Sequence, residues 1–279
     1  PPACREILAE TATAGCIDVY PNPEGGKSPG GYCQDMCALK RPALIFMNYK
    51  GLIDDQRTLT HEMGHAINFY LMGRNVDYLY CTGTEYEMEI PSTFNEELFV
   101  DHALASYDQD TSLAILADSI ADYVNYFTFQ PMITEFENAA HQLCRQKGNV
   151  SGREFNQLWT GLSRQYRTAM VDYYAEDEAP WTYISHIYFT NNYYTFSYAL
   201  SKAITLSLFK MHKEDPEKFN ENYAAYLSAG STMTPPEKLK KFFNIEIDEK
   251  LFEDAMDVVQ MRVQQLQQLE AKMAVSPER

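Results

Sequence analysis

His61-Glu62-Met63-Gly64-His65 is the stretch on which the reading of this chain turns. On a helix, residues four apart are separated by ~40° of rotation and ~6 Å of rise, so both imidazoles reach one small ion from the same face. Glu62 projects beside that ion, where it can take a proton from a coordinated water. The flanks specify a helix over about 54–72. Leu59, Met63, Ala66, Ile67, Tyr70 and Leu71 recur at helical spacing and form an apolar stripe. Asp54 or Asp55 caps the start, and Gly73 stands where the helix should stop. Zinc is the commonest ion for such a pair of ligands, and peptide-bond hydrolysis its commonest use.

A catalytic zinc takes a third protein ligand and leaves a position for water. The candidates downstream are Glu85, Glu87, Glu89, Glu96 and Glu97, and spacing alone does not choose among them. A second helix is expected to about residue 106, beginning near Glu85 or at Pro91, which either opens it or kinks it. Glu89 and Glu96 are two helical turns apart and share a face. One can bind metal while the other holds a ligand histidine by its second ring nitrogen.

Several segments together resemble the thimet oligopeptidase family of zinc peptidases. These are the His61–His65 motif with Glu89 downstream, the run Gly15 to Tyr32 with its glycines, and Ile45-Phe46-Met47-Asn48-Tyr49-Lys50-Gly51. The stretch from Tyr226 to Leu239 agrees as well, and Ser92-Thr93-Phe94-Asn95-Glu96 is most similar to the oligoendopeptidase F branch. The resemblance spans nearly the whole chain. It implies a mainly α, zincin-like metallopeptidase domain with a small β-sheet beside the metal helix, filling residues 1–279 as a single catalytic domain. It implies one zinc ion held by His61, His65 and Glu89, with Glu62 as general base and short peptides as substrates. Glu96, by helical spacing, is the carboxylate behind a ligand histidine.

The segment from Trp181 to Tyr198 is dense in aromatics and contains His186. Phe189 and Phe196 read as packing residues. A buried tyrosine hydroxyl wants a partner, and hydroxyls or a histidine can donate to the oxyanion of a tetrahedral intermediate. The resemblance carries such catalytic roles to Tyr198 and His186, and substrate contacts to Tyr194 and Tyr193. Asn191-Asn192 stands where the thimet branch has a glycine pair.

The family's large helical N-terminal half, which walls its channel, has no counterpart in this chain. The chain begins at Pro1 without a methionine, so it is expected to be a cut or processed piece, and the missing half or a partner chain is a candidate partner. Two other readings stand beside the oligoendopeptidase. Angiotensin-converting enzyme, which removes C-terminal dipeptides, shares the His-Glu-Met-Gly-His form, although the run 92–96 and the tyrosines favour the first reading. The other is a zinc-holding fragment that does not turn over alone.

A chain of 279 residues can bury a sizeable core. Its net charge of -16 argues against nucleic acid and suits basic peptides. No apolar run is long enough for a bilayer, and a soluble cytoplasmic protein is expected. Cys33 and Cys37 lack a second pair for a structural zinc, and the six cysteines read as reduced thiols. His102, His141 and His212 stand alone on helices and read as surface or hydrogen-bonded interior groups. Beyond the two metal helices, strands are expected at 16–20 and 43–48, joined through a Gly/Pro-rich hairpin or loop. Helices are expected at about 2–14, 110–146, 151–174, 192–213, 216–229, 235–243 and 248–273.

Overall fold

The structure is a computed structural model that describes residues 2–22, 24–27, 30–167, 172, 174–189 and 192–275. A first helix, α1 (Pro2–Thr13), leads into strands β1 (Ile17–Asp18), β2 (Gly31–Gln34) and β3 (Leu44–Met47). The long helices α2 (Ile53–Asn75) and α3 (Glu85–Ser106) follow. Next come α4 (Gln109–Val124), one wide π-turn (Asn125–Phe129), α5 (Gln130–Lys147), α6 (Gly152–Tyr166) and the short α7 (Ser185–Phe189). The described chain closes with α8 (Thr195–Glu214), α9 (Pro216–Ser228), α10 (Pro235–Phe243) and α11 (Glu249–Val275). Its contacts divide it into two compact units, one of residues 1–119 and 201–279, the other of residues 120–200.

In the first unit both expected strands form, and of the hairpin or loop expected between them their parallel pairing excludes the hairpin. β2 forms at the end of the Gly/Pro-rich stretch, and the strand order is β1-β3-β2. β1 runs parallel to β3, with Ile17 opposite Ile45, while β2 runs antiparallel to it, with Gly31 opposite Met47. The physical reason lies in burial. Ile45 and Ala43 are fully buried and pack with Ala66 of α2, which makes β3 the central strand. The short Gly-Tyr-Cys-Gln segment takes the edge.

α2 lies against that sheet, and its burial is wider than the expected stripe, because Glu62, Gly64 and Asn68 are buried too. Its start is capped by Asp55, one of the two residues expected there. Asp55 sits inside the first turn and accepts from the backbone N–H groups of Lys50 (2.7 Å) and Leu52 (2.9 Å). Gly73 does not end the helix, which runs on to Asn75. A Cβ at Gly73 would lie 3.1 Å from Cys37 Cα, so the glycine serves close packing instead.

α3 starts at Glu85, where Glu87 Oε2 accepts from both the backbone N–H and the hydroxyl of Thr84 (3.0 Å each). Pro91 lies inside this helix rather than at its start. The two helices touch at one glycine. A Cβ at Gly64 would fall 2.3 Å from Pro91 O and 2.5 Å from Ser92 Cα. Behind α3, the rings of Phe94, Phe219 and Tyr223 meet with centroids 4.8–5.2 Å apart.

The second unit packs α5 on α6 through Met132, Ile133, Phe136, Trp159 and Leu162. The single helix expected over 110–146 is interrupted by the π-turn just before Pro131. Proline has no N–H and its ring crowds the carbonyl four residues back, and a wider turn relieves both. The helix expected over 151–174 ends at Tyr166, and residues 168–171 and 173 of that range lie outside the described residues. Among the described residues, no helix is long and apolar enough to cross a membrane.

Gly64→Ala tests the helix contact. The added methyl has only backbone to displace, so a destabilisation of about 1–3 kcal/mol is expected in denaturant unfolding. An unchanged midpoint would show that the helices have room to spare.

Candidate active site

Two adjacent turns of α2 and the second turn of α3 bring the first group of residues together. His61, His65 and Glu89 each offer one ligand atom, and these atoms all lie within 4.8 Å of one another. Glu89 Oε2 is 3.4 Å from His61 Nε2 and 3.6 Å from His65 Nε2. The histidines come from adjacent turns of α2. Glu89 reaches them because Gly64 lets the α3 backbone approach at Pro91 and Ser92. Two imidazole nitrogens and one carboxylate oxygen, converging from a helix pair, fit a metal ion with room for a further ligand. Glu62, between the histidines in sequence, is only 6% exposed. Its Cγ would lie 3.2 Å from a Cβ at Gly31, so the start of β2 runs directly beside it.

Each ligand is held from outside. His61 Nδ1 lies 2.7 Å from Glu96 Oε1. A carboxylate only accepts, so Nδ1 donates to Glu96, and Nε2 is the nitrogen turned toward Glu89. His65 hydrogen-bonds the backbone of Met88. Ser92 Oγ donates to Glu89 Oε2 (3.1 Å) as well as to the Glu89 carbonyl (2.8 Å), which orients the third carboxylate. Glu96 in turn faces Lys202, 3.5 Å away.

The electrostatics follow from burial against these partners. Burial pushes the Glu62 carboxyl up to about 7. Burial pulls His65 down to about 4. His61 feels the same burial, but hydrogen bonds to Glu89 and Glu96 outweigh it and hold its imidazole up at about 10. Burial raises Glu96, yet the Lys202 charge and the His61 hydrogen bond bring it down to about 2. The site therefore holds a fixed carboxylate behind His61 and, on the next residue along α2, a carboxyl raised to about 7.

Of the other glutamates weighed as ligands, Glu87 pairs with Lys238 at 2.8 Å and Glu97 with Lys202 at 2.8 Å. Both are spent on ion pairs.

The second group of expected residues belongs to the second unit. His186 Nε2 lies 3.1 Å from Tyr198 OH, and the His186 ring stacks on Tyr194 with centroids 5.4 Å apart. Tyr194 and Tyr198 meet edge to face at 5.4 Å. Burial lowers the His186 imidazole, which favours its neutral form. Tyr193 has a left-handed backbone, φ 63°, and its N–H donates to both oxygens of buried Glu137 at 3.0 Å. Asn191 lies outside the described residues.

Residues 6–258 match Peptidase family M3. The chain belongs to this family. Oligoendopeptidase F (chromosomal) of Lactococcus lactis subsp. cremoris is 31% identical over 261 residues, covering 92% of the M3 chain described here and 42% of the relative. The oligopeptidase PepF of Bacillus subtilis is 26% identical over 270 residues, covering 94% and 39%. The chain thus spans about two-fifths of the length of the curated relatives it matches. Among solved structures, a putative oligoendopeptidase F aligns with TM-score 0.76 at 22% identity, over 96% of this chain and 46% of that one. A putative peptidase from Chlamydophila abortus aligns with TM-score 0.78 at 20% identity, over 95% and 44%. These likenesses establish the M3 fold, a mainly helical zincin-like domain.

Sequence reasoning missed Ser92, Lys202, Arg262 and Glu137 as site residues, and weighed Glu97 only as a metal ligand. A signal existed for some. Lys202 interrupts the apolar run Ala199-Leu200-Ser201-Lys202-Ala203-Ile204, and Glu137 follows Met132, Ile133 and Phe136 on the buried face of α5. His212 is not the hydrogen-bonded group expected of it. Its ring packs against Phe94 and Phe219, and its Nδ1 has no hydrogen-bond partner among the described residues.

Two measurements test this geometry. His65→Ala is expected to weaken divalent-metal affinity by more than the ~10–100-fold that loss of an outer hydrogen bond costs; unaltered affinity in a chelator titration would remove His65 from the ligand set. Glu137→Ala leaves the Tyr193 N–H without its acceptor, and a loss of about 1–3 kcal/mol is expected in chemical unfolding. A wild-type midpoint would mean that the strained turn holds itself.

Proposed function

We propose that this chain is the catalytic part of a zinc-dependent oligoendopeptidase, which hydrolyses internal bonds of short peptides. The observation that carries the reading is the convergence of His61, His65 and Glu89 with buried Glu62 alongside, in a chain of family M3. In this reading the three ligands hold one zinc ion. Bound zinc supplies Lewis acidity toward the scissile carbonyl and the attacking water.

The chain's own residues do the rest. Glu62 takes the proton of the attacking water and passes it to the leaving amine. Glu96 keeps the His61 ring fixed while charge changes beside it. The edge strand β2, which begins against Glu62, offers unpaired backbone to an extended peptide, and an added strand there would lay the substrate across the base. Tyr198 and His186 donate hydrogen bonds to the oxyanion, with Tyr193 and Tyr194 contacting substrate. Support for these roles is the sequence resemblance together with the mutual hydrogen bond of His186 and Tyr198. The acidic balance of the chain favours peptides carrying basic residues.

The test is mass spectrometry of a pool of short and long peptides incubated with the chain, with and without a zinc chelator. Internal cuts abolished by the chelator are expected. Removal of C-terminal dipeptides alone would replace this reading with a dipeptidyl carboxypeptidase. No cleavage with zinc bound would make the chain a metal-holding segment that works only with further polypeptide.

Glu62→Gln separates metal binding from chemistry. It is expected to retain zinc and lose cleavage by about 10²–10⁴-fold, the scale of general base catalysis. Normal turnover in this variant would end the assignment of Glu62.

A further inference from the structure

The metal cluster is backed by a ladder of buried charges that runs through the first unit. It starts at His61 Nδ1, 2.7 Å from Glu96 Oε1. The second oxygen of Glu96 lies 3.5 Å from Lys202 Nζ, and that ammonium lies 2.8 Å from Glu97 Oε1. Glu97 Oε2 accepts from Arg262 Nη2 at 3.2 Å, and the same nitrogen donates to the Glu97 carbonyl. Arg262 Nη1 continues to Asp101 Oδ1 at 2.8 Å, and Asp101 Oδ2 meets Lys213 Nζ at 2.8 Å. Arg262 is 0% exposed, Glu97 1% and Lys202 2%.

Three carboxylates, Glu96, Glu97 and Asp101, thus face three cations, Lys202, Arg262 and Lys213. The charges of His61 and Arg57 act on Glu96 as well. Burying four of these groups, Glu96, Glu97, Lys202 and Arg262, is costly, and apolar residues of similar volume would stabilise a core as well or better. What apolar residues could not do is hold one oxygen of Glu96 while leaving the other for an imidazole. Glu96 turns about its side-chain bonds unless both ends are fixed. α3 carries Glu96, Glu97 and Asp101, and Arg262 clamps that helix at a backbone carbonyl and two side chains. Lys202 is the rung that transfers this rigidity to Glu96.

We propose that Lys202 is a positioning residue of the metal site, acting through Glu96 to fix the His61 ring with Nε2 toward the ion. This rests on the reading of His61, His65 and Glu89 as zinc ligands. The rival is an ion pair with Glu97 that only stabilises the fold, since Lys202 lies closer to Glu97 than to Glu96. The two separate in metal affinity, because a purely structural pair changes the unfolding temperature and leaves the affinity of the folded protein alone.

The experiment is zinc titration of the full 279-residue chain against a competing chromophoric chelator, with the thermal unfolding of each variant recorded beside it. Lys202→Met keeps the length and removes the charge. Its zinc affinity is expected to fall by about 10–100-fold, the range seen when support behind a ligand histidine is lost. Lys202→Arg, which can still bridge the two carboxylates, is expected to recover most of it. Where Lys202→Met does not fold, Lys202→Met combined with Glu97→Gln removes the pair together, and the same loss is expected. A folded variant without the Lys202 charge that binds zinc like the unsubstituted chain overturns the proposal and leaves the zinc site standing. Failure of the unsubstituted chain to bind zinc overturns both.

Discussion

The site depends on one contact, the close approach of two helix backbones at Gly64. α2 carries two of the three ligand atoms and α3 the third, so their separation decides whether the set can close on one ion. Packed helices with ordinary side chains keep their axes ~8–10 Å apart. Here the absence of a Cβ brings Pro91 and Ser92 against the glycine. Gly64, the fourth residue of the pentapeptide, thus serves the packing of the two helices. Pro91 belongs to the same solution. It lies in α3 at the crossing point, and the hydroxyls of Ser92 and Thr93 both donate to the Glu89 carbonyl one turn earlier.

Around that crossing the protein accepts an expensive arrangement of buried charge. Glu87 faces Lys238, and Glu96 and Glu97 face Lys202 and Arg262. Each pair stabilises little in net terms, because desolvation offsets most of the attraction, but removal of one partner leaves a charge stranded in the interior. The result is positional accuracy more than stability. Every acidic side chain on the buried face of α3 has a defined direction, and only Glu89 is directed to the histidines by both nitrogens at once. The same logic recurs in the second unit, where buried Glu137 fixes the left-handed turn at Tyr193 that precedes Tyr194 and Tyr198.

Much of the fold could be read from the sequence because helices announce themselves by period. The metal helix, α3, α9, α10 and α11 lie within a few residues of the expected bounds, and the seven-residue spacing of Glu89 and Glu96 does put both on the face toward His61. The sheet was less legible. β2 has four residues, two of them glycine and glutamine, inside a stretch whose prolines and glycines signal a turn, and strand pairing is decided by the burial of Ile45 rather than by local pattern. Gly73 misled for a related reason. A glycine that ends a helix and one that admits a neighbouring backbone look alike until the neighbour, here Cys37, is known. Lys202 showed only as a break in an apolar run and Arg262 not at all, because their partners lie more than a hundred positions away and no periodicity links them.

That separation along the chain has a consequence for the order of events during synthesis. Both ligand helices are complete by residue 106, whereas the cations that balance their buried carboxylates arrive at positions 202, 238 and 262. The Gly230 carbonyl accepts from Lys238, and the Ser231 N–H donates to Tyr80 O in the connection between α2 and α3, so the late segment also ties down the early one. A nascent polypeptide that has released α2 and α3 but not α8, α10 and α11 therefore presents histidines and glutamates without the framework that aims them. The His61–Glu89 cluster reaches its final geometry only after α11 has left the ribosome, and a translation product that stops short of α11 carries the motif without that framework.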